Sequence, residues 1–250
     1  MKDLQRDKEF WTESSQHEVV VPVGWDINHK EVCFEIGNEQ NHTLICDHSG
    51  SGKSNFLHVL IQNLAFYYAP NEVQLFLLDY KEGVEFNAYV ADTALEHARL
   101  VSVASSISYG ITFLKWLCDE MEKRADRFKQ FNVKDLNNYR KHDKMPRLIL
   151  VVDEFQVLFS DNKSTKAVEG HLNALLKKGR SYGVHLVLAT QTMHGTDIIQ
   201  ALRLKSPTAS LCLWTQKTAV VFWAMMRLVR FKNQKAFSIT TEGIENTTPR

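Results

Sequence analysis

Residues 42–64 read HTLICDHSGSGKSNFLHVLIQNL, and the fold turns on how this stretch is understood. An apolar run, Thr43–Cys46, meets a Gly/Ser turn, then a lysine, then a stretch with helical apolar spacing. A strand, a glycine-rich turn and a helix in that order form a cradle for phosphate. Gly50, Ser51 and Gly52 allow backbone N–H groups to turn inward at a helix N-terminus. The pattern G-x-x-x-x-G-K-[ST] is completed in its second half by Gly52-Lys53-Ser54, but its first position is Asp47 rather than glycine. The loop Asp47, His48, Ser49, Gly50, Ser51, Gly52, Lys53 and Ser54 is therefore the candidate nucleotide cradle. Lys53 is expected on the β- and γ-phosphates of ATP, and the Ser54 hydroxyl on Mg²⁺.

Around that stretch the chain alternates between continuously apolar runs and helical spacing. Glu18–Asp26 and Glu31–Ile36 read as a hairpin. Val73–Asp79, Leu100–Ala104, Leu148–Asp153 and Val184–Thr190 read as further strands. Helices are expected at Lys53–Tyr68, at Ile107 to about Phe131, near Lys134–Arg140 and at Lys166–Arg180. Apolar strands separated by helices imply a mostly parallel sheet covered on both faces, an α/β fold.

Three strand ends converge on the chemistry. Leu148–Asp153 runs into Asp153-Glu154 at the carboxyl edge, where open α/β sheets bind ligands. Asp153 is expected in the Mg²⁺ shell, and Glu154 as the group that polarises the attacking water. Val184–Thr190 leads to Gln191, placed to sense a γ-phosphate. Val73–Asp79 opens DYKEGVEF, in which Asp79, Lys81 and Glu85 are candidates for either the site or a salt bridge. Arg180 is either a solvated side chain or a finger that reaches a neighbouring subunit's nucleotide.

The bulk numbers exclude little. With 250 residues, 44% hydrophobic, 24% charged and a formal net charge of +1, the chain can bury a full core and has no strongly basic character. No run is long and apolar enough to span a membrane, and the polar start carries no secretory signal. Cys33, Cys46, Cys118 and Cys212 stand singly, as buried small residues of a reducing cytoplasm do.

Taken in order and spacing, ICDHSGSGKS, LLDYKEGVEF, FLKWLCDEMEKRADRF…NVKDLNNY, LILVVDEF and KKGRSYGVHLVLATQT resemble the FtsK/SpoIIIE family. The resemblance spans about Val20 to Thr208. It implies a RecA-like P-loop ATPase, assembled as a ring hexamer and pumping double-stranded DNA. It also implies relatives in secretion and conjugation that act on protein or nucleoprotein. Asp47 departs from the family and, beside a triphosphate, points to a weakened site or to a degenerate subunit. The expected organisation is a polar segment at 1–18, an ATPase domain at 19–208 and a divergent tail at 209–250. When the tail is back-translated and read two nucleotides on, Phe222–Met226 yields Leu-Gly-x-Asp and Ala209–Thr218 permits a strand followed by Asp-Ser, as the family continues. The tail is thus expected to be a shifted reading frame.

Overall fold

The computed structural model describes residues 10–37, 40–46, 51–81, 85–90, 95–103 and 106–191, and the backbone of 209–213. Strands β1 (Val19–Trp25) and β2 (Glu31–Ile36) pair antiparallel as the expected hairpin. The Asp26 carboxylate closes its turn by accepting the N–H groups of Asn28 and Lys30 at 2.8 and 2.9 Å. The rest is a doubly wound unit: β3 (His42–Cys46), α1 (Lys53–Tyr67), β4 (Val73–Asp79), β5 (Ala98–Ser102), α2 (Ile107–Gln130), α3 (Leu136–Tyr139), β6 (Arg147–Asp153), α4 (Asn162–Tyr182), β7 (Val184–Thr190) and β8 (Ala209–Leu213).

Six parallel strands stand in the order β5-β4-β6-β7-β3-β8. Every residue of β6 and β7 is buried, which is why both read as unbroken apolar runs. Alternate residues of one strand serve opposite faces. Ile149, Val151, Val187 and Ala189 face α1 and the hairpin residues Val21, Phe34 and Ile36. Leu150, Val152, Leu186 and Leu188 face α2 and α4 through Leu114, Leu117, Met121, Leu172 and Leu175. Two separate cores thus clamp the central strands, and β6, β7 and β3 end side by side at one edge.

The amino-terminal segment is a correction. Expected as a polar, frayed stretch, its residues 10–18 are strapped to the domain by the orphan carbonyls of a helix end. Trp11 and Glu13 N–H groups donate to Phe66 and Tyr67 at 3.0 Å, and Trp11 Nε1 donates to the Ala65 carbonyl at 3.1 Å. Arg147, 1% exposed, donates to the carbonyls of Ser15, Gln16 and His17 from inside the sheet edge. Polarity here reflects backbone pairing rather than solvation.

Other boundaries moved for local reasons. Helix α4 starts four residues early because the Asp161 side chain caps it, and it runs on to Gly183, whose φ of 68° forms the left-handed stop. Strand β5 starts at Ala98 rather than Leu100. Cys46 is buried as expected, but Cys33 is exposed on the outward side of β2 and Cys118 is half-buried. The side chain of Cys212 lies outside the described residues.

Candidate functional site

Helix α1 begins differently from the other helices. Ser106, Asp135 and Asp161 cap α2, α3 and α4 with side-chain acceptors, whereas α1 has no side-chain cap among the described residues. Its amino-terminal N–H groups and positive dipole end are left for an anion. Gly52, with φ 94° and ψ 11°, makes the turn into the helix in a conformation that a side chain would resist. Ser51 is 1% exposed and its hydroxyl has no partner among the described residues. Ser54 is half-buried in the first turn. Asp47, His48, Ser49 and Gly50 lie outside the described residues.

Lys53 follows β3, and its buried side chain crosses the end of β7 to reach the acids of β6. Its ammonium pairs with Asp153 Oδ1 and lies 3.2 Å from Glu154 Oε1. All three side chains are nearly sealed from water, at 5%, 0% and 8% exposure. Burial pushes the Asp153 carboxyl above the ordinary carboxylate range, Lys53 pulls it back, and the charges of Glu154 and Glu85 add to the rise. Asp153 Oδ1 also accepts the Glu154 N–H at 3.1 Å, while Oδ2 is buried without a partner among the described residues.

Glu154 has the left-handed backbone angles φ 55° and ψ 46°. Such angles in a non-glycine residue cost about 1–3 kcal/mol and cluster at functional positions. The kink ends β6 and starts the 3-10 turn Phe155–Phe159. It leaves the Glu154 carboxylate gripped on both oxygens: Oε1 by Lys53, and Oε2 by the Gln156 amide at 2.6 Å and the Gln191 N–H at 3.3 Å. Gln156 was not foreseen from sequence. Its signal was an amide two residues past a strand-terminal acid, visible only once Glu154 is known to turn.

The structure brings Ser51, Gly52, Lys53, Ser54, Asp153, Glu154 and Gln191 to one edge, because β7 lies between β3 and β6. Arg180 is not among them. It is exposed in the last turn of α4, just before β7 begins, and so at the opposite edge of the sheet. Asp79 braces its own loop instead: its carboxylate accepts the backbone N–H groups of Lys81 and Glu85 at 2.7 and 3.0 Å.

These residues fit a nucleotide with a divalent cation. An uncapped helix start with a buried hydroxyl beside it accepts phosphate oxygens. Ser54 and the unpartnered Asp153 Oδ2 are hard oxygen donors suited to Mg²⁺.

Comparison with known proteins agrees with this geometry. The FtsK/SpoIIIE family profile matches residues 1–203. The chain belongs to the FtsK/SpoIIIE family. It is 33% identical over 156 residues to the ESX secretion system protein YukB of Bacillus subtilis, covering 59% of this chain and 10% of that protein. It is 31% identical over 177 residues to the DNA translocase FtsK of Borreliella burgdorferi, covering 68% of this chain and 22% of that protein. Among solved structures, the cytoplasmic domain of the type VII secretion ATPase EccC of Thermomonospora curvata superposes with a TM-score of 0.65 at 25% identity, over 79% of this chain and 24% of that one. The chain therefore spans about a tenth to a quarter of the length of the relatives it matches. The RecA-like architecture expected from sequence is the one found. No helix of the described residues is long and apolar enough to cross a membrane.

Proposed function

We propose that this chain is an ATP-hydrolysing motor domain that couples turnover to the translocation of double-stranded DNA, acting as a cytoplasmic ring hexamer. The supporting observation is Lys53 held between Asp153 and Glu154, with Glu154 set on strained backbone at the carboxyl edge of the sheet. In the free protein the lysine offsets part of the charge of the two acids. An entering triphosphate offers Lys53 a denser negative charge, and its move to the phosphates releases Asp153. Bound Mg²⁺ supplies neutralisation of the charge that develops on the transferred phosphoryl group. Ser54 and Asp153 are the residues that would hold it. Glu154, steadied by Gln156 and Gln191, orients a water and accepts its proton as the water attacks the γ-phosphorus; ADP and phosphate leave. Arg180, remote from its own site, is free to approach a neighbour's.

A second reading, a coupling ATPase that acts on protein or nucleoprotein, is favoured by the similarity to YukB and EccC. One assay separates the two. ATP hydrolysis by the full chain is measured alone, with linear duplex DNA, and with a panel of protein substrates. The DNA reading expects several-fold stimulation by the duplex. Stimulation by a protein and none by DNA would replace it with the second reading, and no turnover under any condition would leave only a nucleotide-binding subunit.

A further inference from the structure

The loop after β4 contains a carboxylate that the chemistry above leaves unused. Asp79 ends β4 in register with Asp153 on β6, and it commits both oxygens to backbone N–H groups, including that of Glu85 at 3.0 Å. The starting point of the Glu85 side chain is thereby fixed whatever that side chain is. Its Oε2 lies 3.8 Å from His58 Nε2, and His58 Nδ1 lies 2.8 Å from the Tyr89 hydroxyl. His58 follows Ser54 by one helical turn, so the two share a face of α1. Burial holds His58 below its ordinary pKa.

We propose that Glu85 is a positioning residue for the divalent cation: an acceptor for water on a cation held by Ser54 and Asp153, its backbone fixed by Asp79 and its carboxylate beside His58. The proposal rests on the nucleotide-site reading above. Once Lys53 turns to the phosphates, Asp153 and Glu154 are left beside a polyphosphate, and the cation offsets part of that negative charge. Mg²⁺ keeps several of its waters when bound, and those waters donate to acceptors just beyond the inner ligands. Asp153 Oδ2, buried and without a partner among the described residues, marks the inner position. Glu85 lies beside His58, one helical turn beyond Ser54.

The test measures ATP binding by the full chain, by calorimetry, across a Mg²⁺ titration and again in EDTA. Removing an outer partner of a metal ligand costs on the order of tenfold in metal affinity. Glu85→Gln is expected to raise the half-saturating Mg²⁺ concentration by about that factor. It is also expected to leave metal-free ATP binding unchanged or tighter, since a negative charge near the phosphates is gone. Glu85→Asp should fall between the two proteins, and His58→Gln should shift Mg²⁺ dependence in the same direction as Glu85→Gln. Equal Mg²⁺ dependence in parent and Glu85→Gln overturns the proposal. So does parallel weakening with and without metal, the signature of a purely structural loop residue. A parent that binds no ATP under either condition overturns the nucleotide-site reading, and this proposal with it.

Discussion

Replacing Lys53 by methionine should destabilise the free protein, before any nucleotide is involved. The ammonium is 5% exposed and serves two carboxylates that are themselves buried. At the 3.2 Å separation from Glu154, attraction at an effective dielectric near 20 is roughly 5 kcal/mol. Much of that offsets the cost of desolvating the charges, but removing one partner strands the others, and broken buried pairs cost about 3–5 kcal/mol. Asp153 limits the loss. Its carboxyl is already pushed up by burial, so without the lysine it takes a proton rather than remain charged and alone. For a domain of this size each kcal/mol is worth about 2–4 °C, so the melting temperature should fall by roughly 6–20 °C near neutral pH. The difference from the parent should shrink in acid, where both carboxylates are protonated in either protein. Adding Asp153→Asn to Lys53→Met should restore part of the loss. A Lys53→Met protein that melts with the parent at neutral pH would refute the buried pair, and with it the account of the free site as one held together by its lysine.

Three further outcomes are expected. Asp47→Gly should tighten ATP binding by roughly tenfold, because a carboxylate several ångströms from a triphosphate costs about 1–4 kcal/mol; equal or weaker affinity by titration calorimetry rejects the charge argument. Acid should loosen the opposite edge of the sheet, where His185 accepts from Arg147 Nη1 at 3.0 Å and His42 Nδ1 accepts the Leu186 N–H at 3.2 Å, so that both rings are neutral. Burial lowers His42 from 6.5 to about 4 and His185 well below its usual value, so the unfolded chain binds protons first and stability falls as pH drops below about 6.5. Urea midpoints should drop between neutral pH and pH values near 5, and the double variant His42→Asn/His185→Gln should flatten that slope; an unchanged slope contradicts the assignment. The proposal that 209–250 is a shifted frame predicts that one inserted or deleted base near codons 207–209 of the coding DNA restores a frame reading through Leu-Gly-x-Asp, and an early stop in that frame rejects it.

The sheet was legible because its central strands are buried on both faces, so β6 and β7 show as unbroken apolar runs ending in polar residues. The lysine and the two acids were legible because each stands at a fixed offset from such a run. What escaped has a common physical origin in backbone geometry and side chain–backbone pairing, which residue type does not announce. The strap at residues 10–18 is held by carbonyls that meet Arg147, so its polar composition read as solvated. The Gln156 contact depends on the left-handed turn at Glu154, and nothing in DEFQ fixes that φ in advance. Asp79, open in the sequence to the site or to a salt bridge, braces its own loop through backbone N–H groups. Strand β8 occupies the edge beside β3 with Ala209–Leu213, the apolar stretch at the head of the divergent tail.

The central claim is that Glu154 drives ATP hydrolysis from a site that Lys53 prepares. Single-turnover hydrolysis of bound ATP by the parent and by Glu154→Gln tests it most directly. Glutamine keeps the size and the hydrogen bonds to Gln156 and Gln191 but cannot take the proton, so binding should persist while the hydrolysis rate falls about 10²–10⁴-fold. A Glu154→Gln protein that binds ATP and cleaves it at the parent rate would contradict the account.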